Sequence, residues 1–175
     1  MRLLQRLKAD RRGVSAVEFA LVAPVLILFY FGLVQTTSAI LALRRVSHVA
    51  STLGDLAART PVIRDADMAD IFSVSDSLLA PYPTAPLKAR VTSITKDAGG
   101  VAKVGWSDAK NWGARAKNAT MTVPDGIIGA GQSAILAEVE YDYDSPIDLI
   151  APGAMTFTRS FYLRPRVVAT ITRQP

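Results

Sequence analysis

From Phe19 to Leu43 no side chain carries a charge, and a helix needs only about 20 apolar residues to cross the hydrocarbon core of a bilayer. The polar members of this run, Gln35, Thr36, Thr37 and Ser38, gather toward its far end. The most apolar span is therefore about Val14 to Val34, and the segment predicts a transmembrane helix. Ahead of it stand Arg2, Arg6, Lys8, Arg11 and Arg12 against the single acid Asp10. Short flanks rich in Lys and Arg stay on the cytoplasmic side while a long following domain is translocated. The expected orientation is N-terminus in and bulk out, with Arg44 and Arg45 adding some positive charge on the outer side.

The net charge is +5 over 175 residues. Most of that excess sits in the leader, so the remainder carries no broad basic surface and nucleic acid is not an expected partner. The chain has no cysteine, which excludes disulfides, thiol catalysis and Cys-ligated zinc.

Glu18 is the anomaly in the apolar segment. A carboxylate inside a membrane is costly unless it is protonated, snorkelled or paired. A plain signal anchor would leave it unexplained. A cleaved secretory signal, ending near Thr37-Ser38-Ala39, would need an apolar core of about 7 to 15 residues, much shorter than this one. A cut just after Gly13 instead makes Val14 the first residue. Its new α-amino group then sits four positions from Glu18, on the same helix face, within one subunit or exchanged between neighbours. Glycine suits such a cut because it interrupts helix and opens the backbone to a protease.

The stretch Gly13-Val14-Ser15-Ala16-Val17-Glu18-Phe19-Ala20-Leu21-Val22-Ala23-Pro24-Val25-Leu26 resembles the N-terminal signature of TadE-like proteins, pseudopilins of the tight-adherence (Tad, Flp-type) pilus system. Gly13, Glu18, Phe19 and Pro24 match it in type and spacing. Gln35 departs from it, since relatives often carry an acid at the end of the span. The resemblance implies cleavage between Gly13 and Val14 by a membrane aspartyl prepilin peptidase, leaving 162 of the 175 residues. It also implies other pseudopilins and pilus assembly platform proteins as partners, beside membrane lipid, and a role in surface attachment and biofilm formation. Major pilins of that system are little more than the helix, so the long chain beyond Arg59 favours a minor subunit, of TadE or TadF type. The alternative is an uncleaved, single-pass membrane-anchored periplasmic scaffolding or binding protein.

Beyond the membrane, Val46, Val49, Leu53 and Leu56 step at helical spacing, with His48, Ser51, Asp55 and Arg59 spread around them. One helix from about Val14 to Arg59 is expected, roughly 69 Å long at 1.5 Å per residue. Thr60-Pro61 ends it, and Pro24 should kink it or open one backbone hydrogen bond. The organisation is a leader over 1–13, a membrane helix over 14–43, its periplasmic extension over 44–60, and a periplasmic domain over 61–175.

In that domain a short helix is expected from Asp67 to about Leu79, capped by Asp65 or Asp67. The stretch from Ala80 to Pro86 then reads as an extended linker. Strands are expected over Val91–Thr95 and Val101–Trp106, joined by the Asp97-Ala98-Gly99-Gly100 turn. Asp108 to Asn118 reads as a loop, and Met121 to Val123 as an edge strand. Two clearer strands follow, Ile135 to Tyr143, ended by Ser145-Pro146, and Met155 to Leu163, prolonged through Val167 to Thr172. Four or more antiparallel strands beside a long helix and a short one make an α+β, pilin-like fold.

Nothing in the pattern points to catalysis. His48 is the single histidine and has no Ser, Cys or acid constellation around it. Glu138, Glu140, Asp142 and Asp144 alternate along one strand and could bind a hard cation, but without a glycine-containing ligand loop they read as a solvated face. Asn118-Ala119-Thr120 fits a glycosylation triplet by chance. No cofactor, metal or small-molecule substrate is expected, and the chain reads as a subunit rather than an enzyme.

Overall fold

Helix α1 runs unbroken over Val14–Arg59, through Pro24, and stops before Thr60-Pro61 as expected. It is part of a computed structural model that describes residues 13–145, 153 and 155–175. The basic leader ahead of Gly13 and the proline at 146 lie outside the described residues. The chain divides into two units, one of Met1–Ala39 with Ser145–Gly153, the other of Ile40–Asp144 with Ala154–Pro175.

In the first unit, the α1 residues Val14 to Ala39 expose most of their large apolar side chains, among them Phe19, Leu21, Val25 and Phe29, while Phe31 and Val34 are half-buried. An 18-residue window there has mean hydropathy 2.3 and none of it is buried. Length and composition suffice to cross a membrane. Thr36 returns its hydroxyl to the Gly32 carbonyl at 2.8 Å, which satisfies that polar group within the helix.

The second unit is built around α1 from Ile40 onward. There Val46, Val49, Ala50, Leu53, Ala57 and Ala58 are buried, whereas Leu56 is only half-buried. The buried face thus follows small residues that a search for large apolar side chains passes over. Gly54 shows why they are needed. A Cβ on it would lie 2.3 Å from Leu163 Cδ1 and 3.2 Å from Ala137 Cβ, so the helix backbone rests directly on the sheet.

After β1 (Val62–Ile63), helix α2 covers Asp65–Leu79. It starts two residues earlier than expected because Asp67 acts from inside the first turn, accepting the Arg64 N–H at 2.9 Å. The Ala80 to Pro86 segment folds into two turns rather than an extended linker, with Tyr82 N–H donating to Leu79 O and Leu87 N–H to Thr84 O. Strands β2 (Leu87–Lys96), β3 (Ala102–Lys110), β4 (Thr120–Met121), β5 (Ser133–Tyr143) and β6 (Met155–Leu163) form an antiparallel sheet in the order β4-β3-β2-β5-β6. The α+β class is as expected.

Several strand boundaries differ from the sequence expectation, β2 starting at Leu87 rather than Val91 and β5 at Ser133 rather than Ile135. Strand β3 reaches Lys110 because the polar side chains that read as loop find partners, Asp108 with Arg173 and Lys110 with Asp76. The edge strand β4 covers Thr120–Met121, so it begins one residue before the expected Met121 to Val123 and ends two residues sooner. The segment after Arg164-Pro165 leaves the sheet instead of prolonging β6. Arg166 N–H bonds to Ala58 O, and β7 (Thr172–Arg173) pairs in parallel with β1.

The face of β5 carrying Ala137, Val139 and Tyr141 packs toward α1 and forms the main core. A second, smaller core lies on the opposite face, where Ile94, Ala102, Ala134 and Leu136 meet Ile128 from the loop before β5.

Candidate functional site: the N-terminal segment and the polar sheet face

Gly13 immediately precedes α1, and a Cβ on it would meet nothing within 4 Å. Val14 opens the helix, and Glu18 follows one turn later on the same face. Both are exposed, as is Phe19. Among the described residues no ion pair reaches Glu18. Pro24 sits ten residues into the helix, where its ring removes one N–H from the ladder. The helix therefore gathers Val14, Glu18 and Phe19 near one exposed end.

His48 is exposed on α1. Among the described residues no group of three or more His, Cys, Asp or Glu side chains comes together in a way that could hold a metal ion.

Of the four alternating acids, Glu138, Glu140 and Asp142 lie on β5 and are paired rather than merely solvated, whereas Asp144 lies past its end and is exposed. Register places Glu138 opposite Arg90 and Glu140 opposite Lys88 on β2, with Glu138, Glu140 and Asp142 opposite Ser160, Thr158 and Thr156 on β6. Cross-strand pairs of opposite charge on one face are neighbours, and this arrangement uses that proximity. Arg90 Nε donates to Glu138 at 2.9 Å, and Arg115 makes a two-pronged contact with the same carboxylate at 2.7 and 2.9 Å. Lys88 Nζ reaches Glu140 at 2.7 Å and Asp142 at 3.4 Å. Thr156 donates to Asp142 at 2.7 Å.

Burial works against charge on Glu138, but the hydrogen bonds and charges of Arg90 and Arg115 outweigh it and hold the carboxyl below its usual range. The Thr156 hydroxyl, seconded by Lys88, does the same for Asp142 against a smaller cost of desolvation.

The excursion after β3 completes the network. Trp112 lies under the Arg90 guanidinium at 4.2 Å, and Arg90 Nη1 donates to Gly113 O at 3.0 Å. Sequence reasoning missed Lys88, Arg90, Trp112 and Arg115 as partners. The alternation of Lys88 and Arg90 with apolar neighbours was the available signal, but nothing local said which strand would lie alongside.

With the geometry of helix and sheet in view, comparison with known proteins bears on α1. Residues 13–54 match the family model for TadE-like protein. The match begins at Gly13 and ends at Gly54, so it covers most of α1 and none of the sheet. No curated protein and no solved structure matches the chain. Together with the exposed apolar helix, the TadE-like match supports a membrane protein associated with the Tad pilus system.

Proposed function

We propose that the protein is a minor pseudopilin of the tight-adherence pilus, a non-enzymatic subunit that a prepilin peptidase cuts between Gly13 and Val14. The observation that carries this reading is the TadE-like match over the very helix whose exposed apolar face contains one acid, Glu18, four residues after Val14.

Glu18 gains its counter-charge from the cut. Removing the leader creates an α-amino group one turn from a carboxylate, and an acid with such a counter-charge costs far less in a low-dielectric setting than an isolated one. The pair can also exchange between subunits packed side by side, which fixes axial register. Phe19 extends the same exposed end, and Pro24 frees a carbonyl that a neighbouring helix can satisfy. The N-terminus then lies in the cytoplasm and the sheet domain in the periplasm, where it contacts other subunits and platform proteins.

Intact-mass measurement of the membrane form tests the reading. An N-terminus at Val14 supports it, and a chain beginning at Met1 in cells with normal pili leaves a tethered, uncleaved scaffold. Glu18→Ala should be cut normally yet fail to co-purify with partner subunits.

A further inference from the structure

Strand β3 is covered on its outer side for only part of its length. β4 pairs with Ala102 and Lys103, and Val104 exchanges backbone hydrogen bonds with Asn118 and Ala119 at 2.8 and 2.9 Å. From Gly105 to Lys110, among the described residues, no strand lies outside β3. An unpaired run of N–H and C=O groups is a template for another strand. Along part of this edge runs an open groove of about 560 Å³, with Ser93, Gly105, Ser107, Arg115, Lys117 and Arg173 in its walls.

Two features of the groove call for an occupant. Ser93 is 1% exposed, yet its Oγ has no hydrogen-bond partner among the described residues, a condition that costs free energy unless something arrives to bond it. The way in is Gly105. Ser93 pairs with Trp106 and Ile94 with Val104, so Gly105 is the extra residue of a β-bulge. A Cβ there would stand 3.6 Å from Ser93 Oγ, and without one only glycine backbone stands beside the hydroxyl where both residues line the groove.

Charge narrows the occupant. Arg115 is committed to Glu138, and Arg173 to Asp65 and Asp108. Lys117 is exposed and forms no ion pair among the described residues, so the wall carries one uncompensated positive charge.

We infer that the β3 edge from Gly105 to Lys110 accepts an extended segment of a partner protein as an added strand, with an acidic side chain of that segment on Lys117 and a polar one over Gly105 on Ser93. Main-chain bonds would supply the affinity and the two side-chain contacts the specificity. The inference rests on the subunit reading above only in supposing a protein partner.

The test places a photoreactive p-benzoylphenylalanine at Ala109 of the full-length chain in its own cells, with the same probe at Thr158 on the opposite edge strand as control. Cross-linked peptides are sequenced by mass spectrometry. The expected result is a cross-link from position 109, absent from 158, to an Asp- or Glu-bearing segment of a different protein. Its yield should fall about tenfold in Lys117→Glu, the equivalent of ~1.4 kcal/mol, persist in Lys117→Arg, and fall in Gly105→Ala, whose added methyl makes only ordinary contacts and leaves the fold intact. Cross-links confined to this chain or to a second copy of it, or a yield indifferent to Lys117→Glu, overturn the inference. The intact mass of the same sample keeps the two proposals apart: a Val14 terminus without the cross-link refutes only the docking edge, and a Met1 terminus with it refutes only the pseudopilin.

Discussion

The two ends of α1 meet different demands with the same backbone. Before Ala39 the helix displays Phe, Leu, Ile and Val and carries a single acid without an ion pair among the described residues. After Ile40 it buries Ala and Gly beside Val and Leu, and its acid, Asp55, pairs with both Arg59 and Arg166. The first part is selected for what surrounds it, the second for how closely a sheet can approach. Hydropathy measures the first demand and is nearly blind to the second, because alanine and glycine score little while permitting backbone contact.

The contrast can be broken experimentally, starting where burial is deepest. Leu53→Ala removes a side chain that is 1% exposed, and should destabilise the sheet domain by about 2–5 kcal/mol, read by denaturant titration of tryptophan fluorescence in detergent. Gly54→Val forces a side chain into the space shared with Ala137 and Leu163, and a loss of about 1–3 kcal/mol is expected in the same assay. At the far end, Phe19→Ala should shift that transition by less than about 0.5 kcal/mol, because Phe19 is 70% exposed. A large effect there would mean that the apolar end also supports the domain.

Between these extremes lies the polar sheet face. Glu138 has a folded-state pKa below its unfolded value, so its stabilisation is present above the unfolded pKa and is lost as pH falls through the folded one. Stability of the wild-type chain should therefore decline on acidification below about pH 5. Glu138→Gln should cost about 1.5–3 kcal/mol at neutral pH, the range for hydrogen bonds to charged groups, and should flatten the acid limb. A mutant with an unchanged acid limb would place the pH sensitivity elsewhere, Asp142 being the next candidate.

Legibility in the sequence followed the range of the interactions. The extent of α1 could be read because uncharged run, apolar stepping and Thr60-Pro61 are all local signals, and β5 and β6 because alternation over nine to eleven residues is local too. The neutralisation of the β5 acids could not be read, since Lys88 and Arg90 lie 48 to 54 positions away from them in the chain. Nor could the return of the C-terminus, where a two-residue strand pairs with Val62–Ile63 and Arg173 binds Asp65, 108 positions away. A strand that short has no period to detect. Ile128 joining the second core was hidden for the same reason, as an apolar residue in a turn-rich loop.

The residues by themselves determined a long apolar helix with one misplaced acid behind a basic leader, because the length and charge of a segment decide whether it suits a bilayer before any tertiary contact forms. Folding decided which small residues of α1 meet the sheet, which basic side chains neutralise the β5 acids, and which stretch of β3 remains uncovered. Those outcomes depend on strand order and register, and register is a property of two segments together that neither one encodes alone.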